Sequence, residues 1–257
     1  AIYIPQLYLP IEALAEARGL NYAKLSKGLG LLDMSVPDTK EDTATMAANA
    51  VLDLISKNDL DPQQIGRIYL GTESALDGAK PTATYVLDML QDHFGEQYGP
   101  NCFLNCDVID MTFACIGAVD ALQNTLDWAS GHAQRIGIVV ASDLAKYEMG
   151  SGGEYTQGAG AVAMLVKQQP RLLTMSSDFG VATRPVHDFY KPTRKVSKQE
   201  IIEEVLDLLP NEVAKSVNVE DLLDKLRNGI AVKGTLDCNE ECLELHKVTP
   251  IFDGPYS

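Results

Sequence analysis

Cys115 is the residue of this 257-residue sequence whose position most favours chemistry. It lies between a strand-like run and residues 116–129, where apolar side chains (Ile116, Val119, Leu122, Leu126) recur at helical spacing. A cysteine in the first turn of a helix meets the positive end of the helix dipole, which lowers a thiol pKa and favours the reactive thiolate. Free cysteines are also often small buried residues, so position leaves nucleophile and core residue equally open.

Acidic residues that follow strand-like runs could work with such a nucleophile. Glu73 comes directly after the run 67–71, and the carboxyl ends of strands border the usual crevice of an α/β protein. It could act as a general acid or base, although most acids in such positions are solvated or cap a helix. Asp143 follows the run 135–142, where a turn or cap is the ordinary alternative. Asp188 lies among aromatic residues, which is typical of a supporting group or a loop anchor.

Composition excludes several classes of function. The formal net charge is −15, which argues against a nucleic-acid or anionic-membrane surface, and no apolar run approaches the roughly 20 residues of a membrane helix. The odd count of five cysteines favours reduced thiols and a cytoplasmic protein. The loose spacing of Cys102 with Cys106 and of Cys238 with Cys242 argues against zinc, so we expect no metal site.

Hydrophobic periodicity predicts alternating helices and strands. Residues 43–57, 82–94 and 116–129 are predicted helices, the first capped by Asp42 or Thr43, and residues 67–71, 101–106 and 135–142 are predicted strands. Small residues at 158–160 predict a turn that leads into another strand. This alternation predicts an α/β sheet covered by helices on both faces. Further along, residues 197–209 and 219–229 have charged, amphipathic helix patterns, the first with Ile201, Val205 and Leu208 on its apolar face.

Five motifs in a fixed order resemble the 3-hydroxy-3-methylglutaryl-CoA synthase family, most closely its bacterial mevalonate-pathway branch. Any one of them is weak, but five in order are highly specific, and the resemblance covers the chain to about Pro192. The motifs are Thr72-Glu73-Ser74-x-x-Asp77, Phe113-Ala114-Cys115, Ser142-Asp143-x-Ala145-x-Tyr147, the run 151–163 that contains Gly158, and Asp188-Phe189-Tyr190-Lys191-Pro192.

The resemblance implies the thiolase-like fold, built from two similar halves, and a condensing activity. Cys115 would take an acetyl group from acetyl-CoA as a thioester, and Glu73 would handle the methyl proton as the enolate attacks acetoacetyl-CoA. Splitting the reaction through a covalent thioester is ordinary nucleophilic catalysis. The other matched positions would support acetylation, condensation or substrate binding, and no cofactor beyond the two CoA thioesters is implied. These supporting positions are Asp77, Asp143, Tyr147, Gly158 and Asp188.

The family's catalytic histidine and a companion asparagine lie downstream of the matched region. None of His93, His132, His187 and His246 occupies that motif. Both ends of the sequence suggest part of a longer polypeptide, so we expect a further segment or a second chain to supply the histidine. The predicted organisation is an N-terminal thiolase-like half at 1–192, a helical excursion at 193–249 and the start of the second half at 250–257.

Three alternatives to a free-CoA synthase stay open. The first is a carrier-protein-dependent β-branching synthase of the same family, which the charge of −15 weakly disfavours because carrier proteins are usually acidic. The others are a ketoacyl synthase of the related superfamily and a non-catalytic thiolase-fold scaffold subunit. Because thiolase-fold relatives dimerise, we also predict a homodimer, with residues 101–106 as the candidate contact.

Overall fold

The structure, a computed structural model, describes residues 1–112, 116–147, 149–176, 180–182, 193–197, 202, 205–221 and 242–246. Contacts divide it into two compact units, Ala1–Arg184 and Pro185–Ser257. Within the described ranges, no helix is long and apolar enough to cross a membrane.

A five-stranded mixed sheet forms the centre of the first unit. Its strands in chain order are β1 (Ile2–Tyr3), β4 (Ile65–Gly71), β5 (Asp107–Met111), β6 (Ile136–Ala145) and β7 (Gly158–Lys167), and their spatial order is β1-β7-β6-β4-β5. β4 runs parallel to both β5 and β6, whereas β7 is antiparallel to β6 and to β1. Two helices cover one face and a third covers the other, which confirms the predicted α/β sheet.

Helix α2 (Thr43–Lys57) packs on β6, β7 and helix α3 (Thr82–Tyr98), and together they bury the larger core. Asp42 caps α2 by accepting a hydrogen bond from the Thr45 N–H at 2.8 Å, while the Thr45 hydroxyl bonds back to the Asp42 N–H. The start, the end and the cap agree with the sequence prediction. The six predicted core positions are also buried: Met46, Ala47, Ala50, Val51, Leu54 and Ile55.

Helix α4 (Gly117–Ser130) covers the opposite face, and the apolar face predicted for it is half right. Leu122 and Leu126 are partly buried against the core on this side, but the other two predicted positions are not. Ile116 and Val119 are 47% and 59% exposed, whereas a stripe of small residues faces the sheet. The stripe is Gly117, Ala121, Thr125 and Ala129. The reason is the short distance between helix and sheet, since a Cβ added to Gly137 of β6 would lie 2.5 Å from the Thr125 methyl group.

Two further predictions need correction. Residues 101–106 form hydrogen-bonded turns instead of a strand, with N–H groups of Leu104 and Cys106 bonded to the carbonyls of Asn101 and Phe103, and the strand follows as β5. Burial of Cys102 and Phe103 against the larger core accounts for the apolar run that favoured a strand. Gly158 is already the first residue of β7, because the ladder with β6 pairs it with Ala145.

The N-terminal lobe, which we define as residues 7–36, carries its own small core. An antiparallel pair, β2 (Leu7–Pro10) and β3 (Asp33–Val36), flanks helix α1 (Ile11–Arg18) and a turn of π-helix at Lys24–Gly28. Ile11, Leu14 and Leu25 are buried together, and Tyr155 from the main body packs against them. This contact ties the lobe to the segment between β6 and β7.

The second unit contains strands where only helices were predicted. β8 (Thr193–Ser197) pairs antiparallel with β9 (Cys242–His246), and a short helix α5 (Asn211–Ala214) lies between them in the chain. The predicted apolar helix face was also wrong, because Val205 and Leu208 are 52% and 85% exposed while Ile202 is buried. Ile201 lies outside the described residues.

Candidate active site

The carboxyl ends of three parallel strands meet at one edge of the sheet. Register places Gly71, the last residue of β4, beside Met111, the last residue of β5, and beside Ala141 of β6. Glu73 therefore leaves the sheet at the edge where the chain runs on from Met111 toward Cys115. Asp143 lies in the part of β6 that extends beyond this edge. This is the usual position of a site in an open α/β sheet.

Asp143 holds the segment that carries Glu73. Its Oδ1 accepts hydrogen bonds from the Thr72 hydroxyl at 3.0 Å, the Glu73 N–H at 2.8 Å and the Ser74 hydroxyl at 3.2 Å. Burial raises the pKa of the Asp143 carboxyl, and the bonds from Glu73 and Thr72 partly offset that rise. Asp143 thus fixes the backbone of Glu73, whose side chain is half-buried.

Hydroxyl groups complete the support of this segment. Ser74 accepts a hydrogen bond from the Leu144 N–H at 3.1 Å, and its carbonyl accepts one from the Thr43 hydroxyl at 2.8 Å. The buried Ser142 hydroxyl donates to the Thr43 carbonyl at 2.7 Å. The start of α2 is therefore bonded to both β6 and the Glu73 segment, which leaves Glu73 little backbone freedom.

Cys115 lies outside the described residues, but close contacts surround Met111, at the end of β5, and Gly117, at the start of α4. A Cβ on Gly71 would lie 2.0 Å from the Ala118 nitrogen, and one on Gly117 would lie 2.4 Å from the Met111 carbonyl oxygen. Only glycine fits at these two positions without a shift of backbone. The first turn of α4 is consequently brought against the end of β4, directly before Glu73.

Among the described residues, Asp77 makes its hydrogen bonds away from this arrangement. The Asp77 carboxylate accepts from the N–H groups of Ala79 and Lys80 at 2.8 and 2.9 Å, and these bonds lower its pKa. The Tyr85 hydroxyl donates to it at 3.3 Å, so these partners of Asp77 belong to its own loop and to α3. Asp188 lies outside the described residues.

Tyr147 and Gly158 lie on either side of the loop between β6 and β7. The Tyr147 N–H donates to Oε1 of Gln157 at 2.7 Å, and the tyrosine ring packs against Gly153. A Cβ on Gly158 would lie 3.5 Å from the Ser35 hydroxyl oxygen, an ordinary contact, so space does not require glycine there. The space at Gly160 is tighter, because a Cβ added there would lie 3.3 Å from the Tyr3 carbonyl oxygen.

Sequence reasoning missed the supporting roles of Thr72, Ser74 and Thr43. The available signal was a cluster of short hydroxyl side chains directly after a buried strand and at a predicted helix start, where such groups bond to backbone. It missed Glu154 as well, whose partner lies 136 residues away in the chain.

The two described thiols differ from an activated nucleophile. Burial and the neighbouring Asp107 charge raise the pKa of Cys106 to about 12, and burial raises that of Cys102. Neither is expected to form a thiolate readily. Where side chains are described, no group of three or more His, Cys, Asp or Glu residues could hold a metal ion.

Comparison with known proteins identifies the family. Residues 1–170 match the model of the hydroxymethylglutaryl-coenzyme A synthase N-terminal domain. The chain belongs to the hydroxymethylglutaryl-CoA synthase family. The family member from Haloferax volcanii is 38% identical over 194 residues, and the one from Enterococcus faecalis is 37% identical over 193. These matches cover 75% of this chain but 41% and 47% of those relatives, so the chain spans under half of their length.

Solved structures of hydroxymethylglutaryl-CoA synthases agree with the fold. MvaS in complex with 3-hydroxy-3-methylglutaryl coenzyme A matches 80% of this chain and 49% of that one, with a TM-score of 0.68 and 37% identity. An HMG-CoA synthase complexed with CoA matches 87% of this chain and 55% of that one, with a TM-score of 0.66 and 32% identity. The predicted thiolase-like fold is therefore confirmed.

Proposed function

We propose that this chain carries the nucleophile half of a hydroxymethylglutaryl-CoA synthase, which condenses acetyl-CoA with acetoacetyl-CoA to 3-hydroxy-3-methylglutaryl-CoA and CoA. The proposal depends on one observation at the edge of the sheet: Asp143 bonds to the Glu73 backbone and so fixes Glu73 beside the first turn of α4. Relatives of known structure bind HMG-CoA and CoA, which supports CoA thioesters as substrates.

In the first step the Cys115 thiolate attacks the carbonyl carbon of acetyl-CoA. The bond from that carbon to the CoA sulfur breaks, CoA leaves with the electron pair, and acetyl-Cys115 is formed. The start of α4 favours the thiolate, because the helix dipole is positive there and the backbone N–H groups of a first turn have no helical partner. Backbone N–H groups at the same place would also stabilise the oxyanion that forms during attack.

In the second step Glu73 removes a proton from the acetyl methyl group, and the resulting enolate attacks the ketone of acetoacetyl-CoA. The new carbon–carbon bond forms as the carbonyl π bond opens, and the ketone oxygen takes up a proton to become the 3-hydroxyl group. Water then releases the product from Cys115 by hydrolysis of the thioester. Efficient proton transfer requires a base held within hydrogen-bond reach of its proton. The three bonds that Asp143 makes to residues 72–74 supply such rigidity to the backbone of Glu73.

A histidine from outside the matched region completes the site in this proposal, from a further segment of the same polypeptide or from a second chain. The share of the relatives' length that this chain spans supports the idea. The exposure of Ile116 and Val119 also supports it, because another layer of the fold could cover these apolar side chains on the side of α4 away from the sheet.

The working assembly is proposed to be a homodimer formed at the edge of β5. β5 is bonded to β4 on one side, and no described strand pairs with its other side. Ile109 of β5 is 40% exposed. An exposed edge strand with an apolar side chain is a surface to which a second copy can pair.

We also place the enzyme in the cytosol, as part of the mevalonate route to isoprenoids and without a cofactor beyond its CoA substrates. The free thiols Cys102 and Cys106 support a reducing compartment.

The deciding experiment is acetylation of the purified protein with radiolabelled acetyl-CoA, followed by peptide mass spectrometry. Label should appear on Cys115 and disappear in Cys115→Ser, because a serine hydroxyl does not form an anion easily. Cys106→Ser is the control and should keep full labelling. Label on Cys102 or Cys106, or none on the intact enzyme, would overturn the proposal.

Substrate class is tested in the same assay with acetyl-loaded acyl carrier protein in place of acetyl-CoA. We expect acetyl-CoA to label the protein at least ten times faster than the acetyl-loaded carrier protein does. A tenfold preference corresponds to about 1.4 kcal/mol of binding free energy. Faster labelling by the carrier protein would favour the carrier-dependent synthase.

A further inference from the structure

One ion pair in the described part of the first unit joins the N-terminal lobe to the loop that supports Tyr147. Arg18, at the end of α1, donates from Nε to Oε2 of Glu154 at 2.9 Å and from Nη2 to Oε1 at 2.8 Å. This is the two-point geometry in which arginine binds a carboxylate most specifically. Glu154 is 6% exposed, so the pair is shielded from water on the carboxylate side.

Glu154 lies in the 150–157 loop, which we define as the residues from Gly150 to the residue before β7. The Gly150 N–H donates to Oε2 of Glu154 at 2.8 Å, so the same carboxylate that binds Arg18 also closes the loop on itself. The bond to Arg18 lowers the pKa of Glu154 and keeps it ionised. The loop is thereby bound to the N-terminal lobe at its centre.

The same lobe holds the loop at a second point and the start of β7 at a third. Tyr155 packs into the small core of Ile11, Leu14 and Leu25. The Ser35 hydroxyl donates to the Ala159 carbonyl at 2.6 Å and accepts from the Ala159 N–H at 2.8 Å. The lobe therefore sets the position of the whole loop, from Gly150 to the start of β7.

The loop in turn holds Tyr147 from two directions. Its Gln157 accepts the Tyr147 N–H at 2.7 Å, and a Cβ on Gly153 would lie 3.1 Å from Cγ of the Tyr147 ring. A Cβ added to the neighbouring Gly152 would lie in open space. Glycine at 153 thus lets the loop backbone lie directly against the ring.

We propose that the Arg18–Glu154 ion pair is a positioning element for Tyr147, through which the N-terminal lobe shapes the pocket for the acyl thioester. This rests on the proposed function and on the supporting or substrate-binding role that the family resemblance implies for Tyr147. Neither Arg18 nor Glu154 touches the substrate in this proposal. Their effect passes through the loop to the tyrosine ring.

The test measures acetylation of Cys115 against acetyl-CoA concentration in the intact enzyme. Glu154→Gln should raise the half-saturating concentration about tenfold and leave the limiting rate within about threefold, since the tyrosine acts on binding. Gly153→Ala should have the same effect by pushing the ring, whereas Gly152→Ala should change nothing. Equal effects of the two glycine substitutions would overturn the proposal.

A double substitution separates positioning from general damage. In a Tyr147→Ala background, Glu154→Gln should add less than about twofold, because both changes then act through the same missing side chain. An undiminished tenfold effect in that background would show that the ion pair acts elsewhere.

Hydrogen exchange gives a readout that does not need activity. The Tyr147 amide, bonded to Gln157, should exchange faster in Glu154→Gln than in the wild type, with Lys57→Gln, which removes an exposed ion pair on α2, as a neutral control. An unchanged exchange rate would overturn the inference whatever the activity. If the wild type takes no acetyl group while exchange still changes, the proposed function fails and the coupling of the ion pair to Tyr147 stands.

Discussion

Asp143 combines burial with three hydrogen bonds to one carboxylate oxygen, and this combination explains its place in the site. The bonds come from the residue before Glu73, from Glu73 itself and from the residue after it. Burial of a carboxylate is costly unless such bonds compensate for lost water. At the residue scale, Asp143 is a support for the proposed base, and the two acids have separable roles.

Removal of Glu73 should separate the two half-reactions. In Glu73→Ala, acetylation of Cys115 should continue largely unchanged, while condensation falls by at least about 100-fold, the usual scale of a general acid or base. Single-turnover acetylation measures the first step, and steady-state consumption of acetoacetyl-CoA measures condensation. Glu12→Ala on the exposed side of α1 is the control, and equal loss of both steps in Glu73→Ala would indicate a structural role instead.

Asp143→Asn should change the pH dependence of stability. Because the folded-state pKa of Asp143 is raised above 3.8, its contribution to stability is full below that value and is lost as pH rises through the folded pKa. The neutral amide keeps a carbonyl acceptor and does not titrate. The variant should therefore gain in unfolding free energy relative to the wild type as pH rises above 3.8.

Urea unfolding at a series of pH values measures this difference. Asp53→Asn, at an exposed position on α2, is the control and should show no comparable trend. A variant that loses relative stability as pH rises would mean that the hydrogen bonds outweigh burial and favour the charged carboxylate.

At the scale of elements, the close approach of α4 to the sheet decides which residues can lie between them. Glycines at 66, 71 and 137 of the sheet leave room for Trp128, Ala118 and Thr125 of the helix. Ile116 and Val119 lie outside this space and are exposed, whereas Leu122, Leu126 and Trp128 are partly buried against the core on this face. The position of the first turn of α4, and of the residue before it, therefore depends on sheet glycines.

Gly71→Ala should displace α4. The added Cβ would meet backbone atoms of Gly117 and Ala118, which cannot rotate away, so unfolding free energy should fall by about 3 kcal/mol, the upper end for overpacking. Acetylation of Cys115 should fall with it. Gly28→Ala is the control, because a Cβ added there lies in open space. Chemical denaturation compares the two variants, and equal stability would show that α4 does not depend on glycine at position 71.

At the scale of the whole molecule, the proposed dimer predicts the effect of a charge at the edge of β5. Ile109→Lys should shift sedimentation from dimer to monomer at micromolar concentration, because a lysine on an edge strand opposes pairing with another sheet. Leu172→Lys, at an 87% exposed loop position, should leave the association unchanged. A wild type that sediments as a monomer would contradict the dimer itself.

Local signals in the sequence determined much of this protein. The cap at Asp42, the apolar face of α2 and the β-branched run of β6 each depend on neighbours within a few residues, and all were predicted correctly. The order of the motifs also identified the family and, with it, the fold. The cap, the apolar face and the strand follow from short-range backbone preferences and from side-chain periodicity, which a sequence displays directly.

Only the tertiary structure decided the features that join distant segments. The bonds of Asp143 to residues 72–74, the ion pair of Arg18 with Glu154 and the buried stripe of α4 each bring together residues far apart in the chain. Periodicity wrongly assigned Ile116 and Val119 to the core because it measures apolar character, whereas burial on α4 depends on the space between helix and sheet. That space is set by glycines on other strands, so no local pattern could have revealed it.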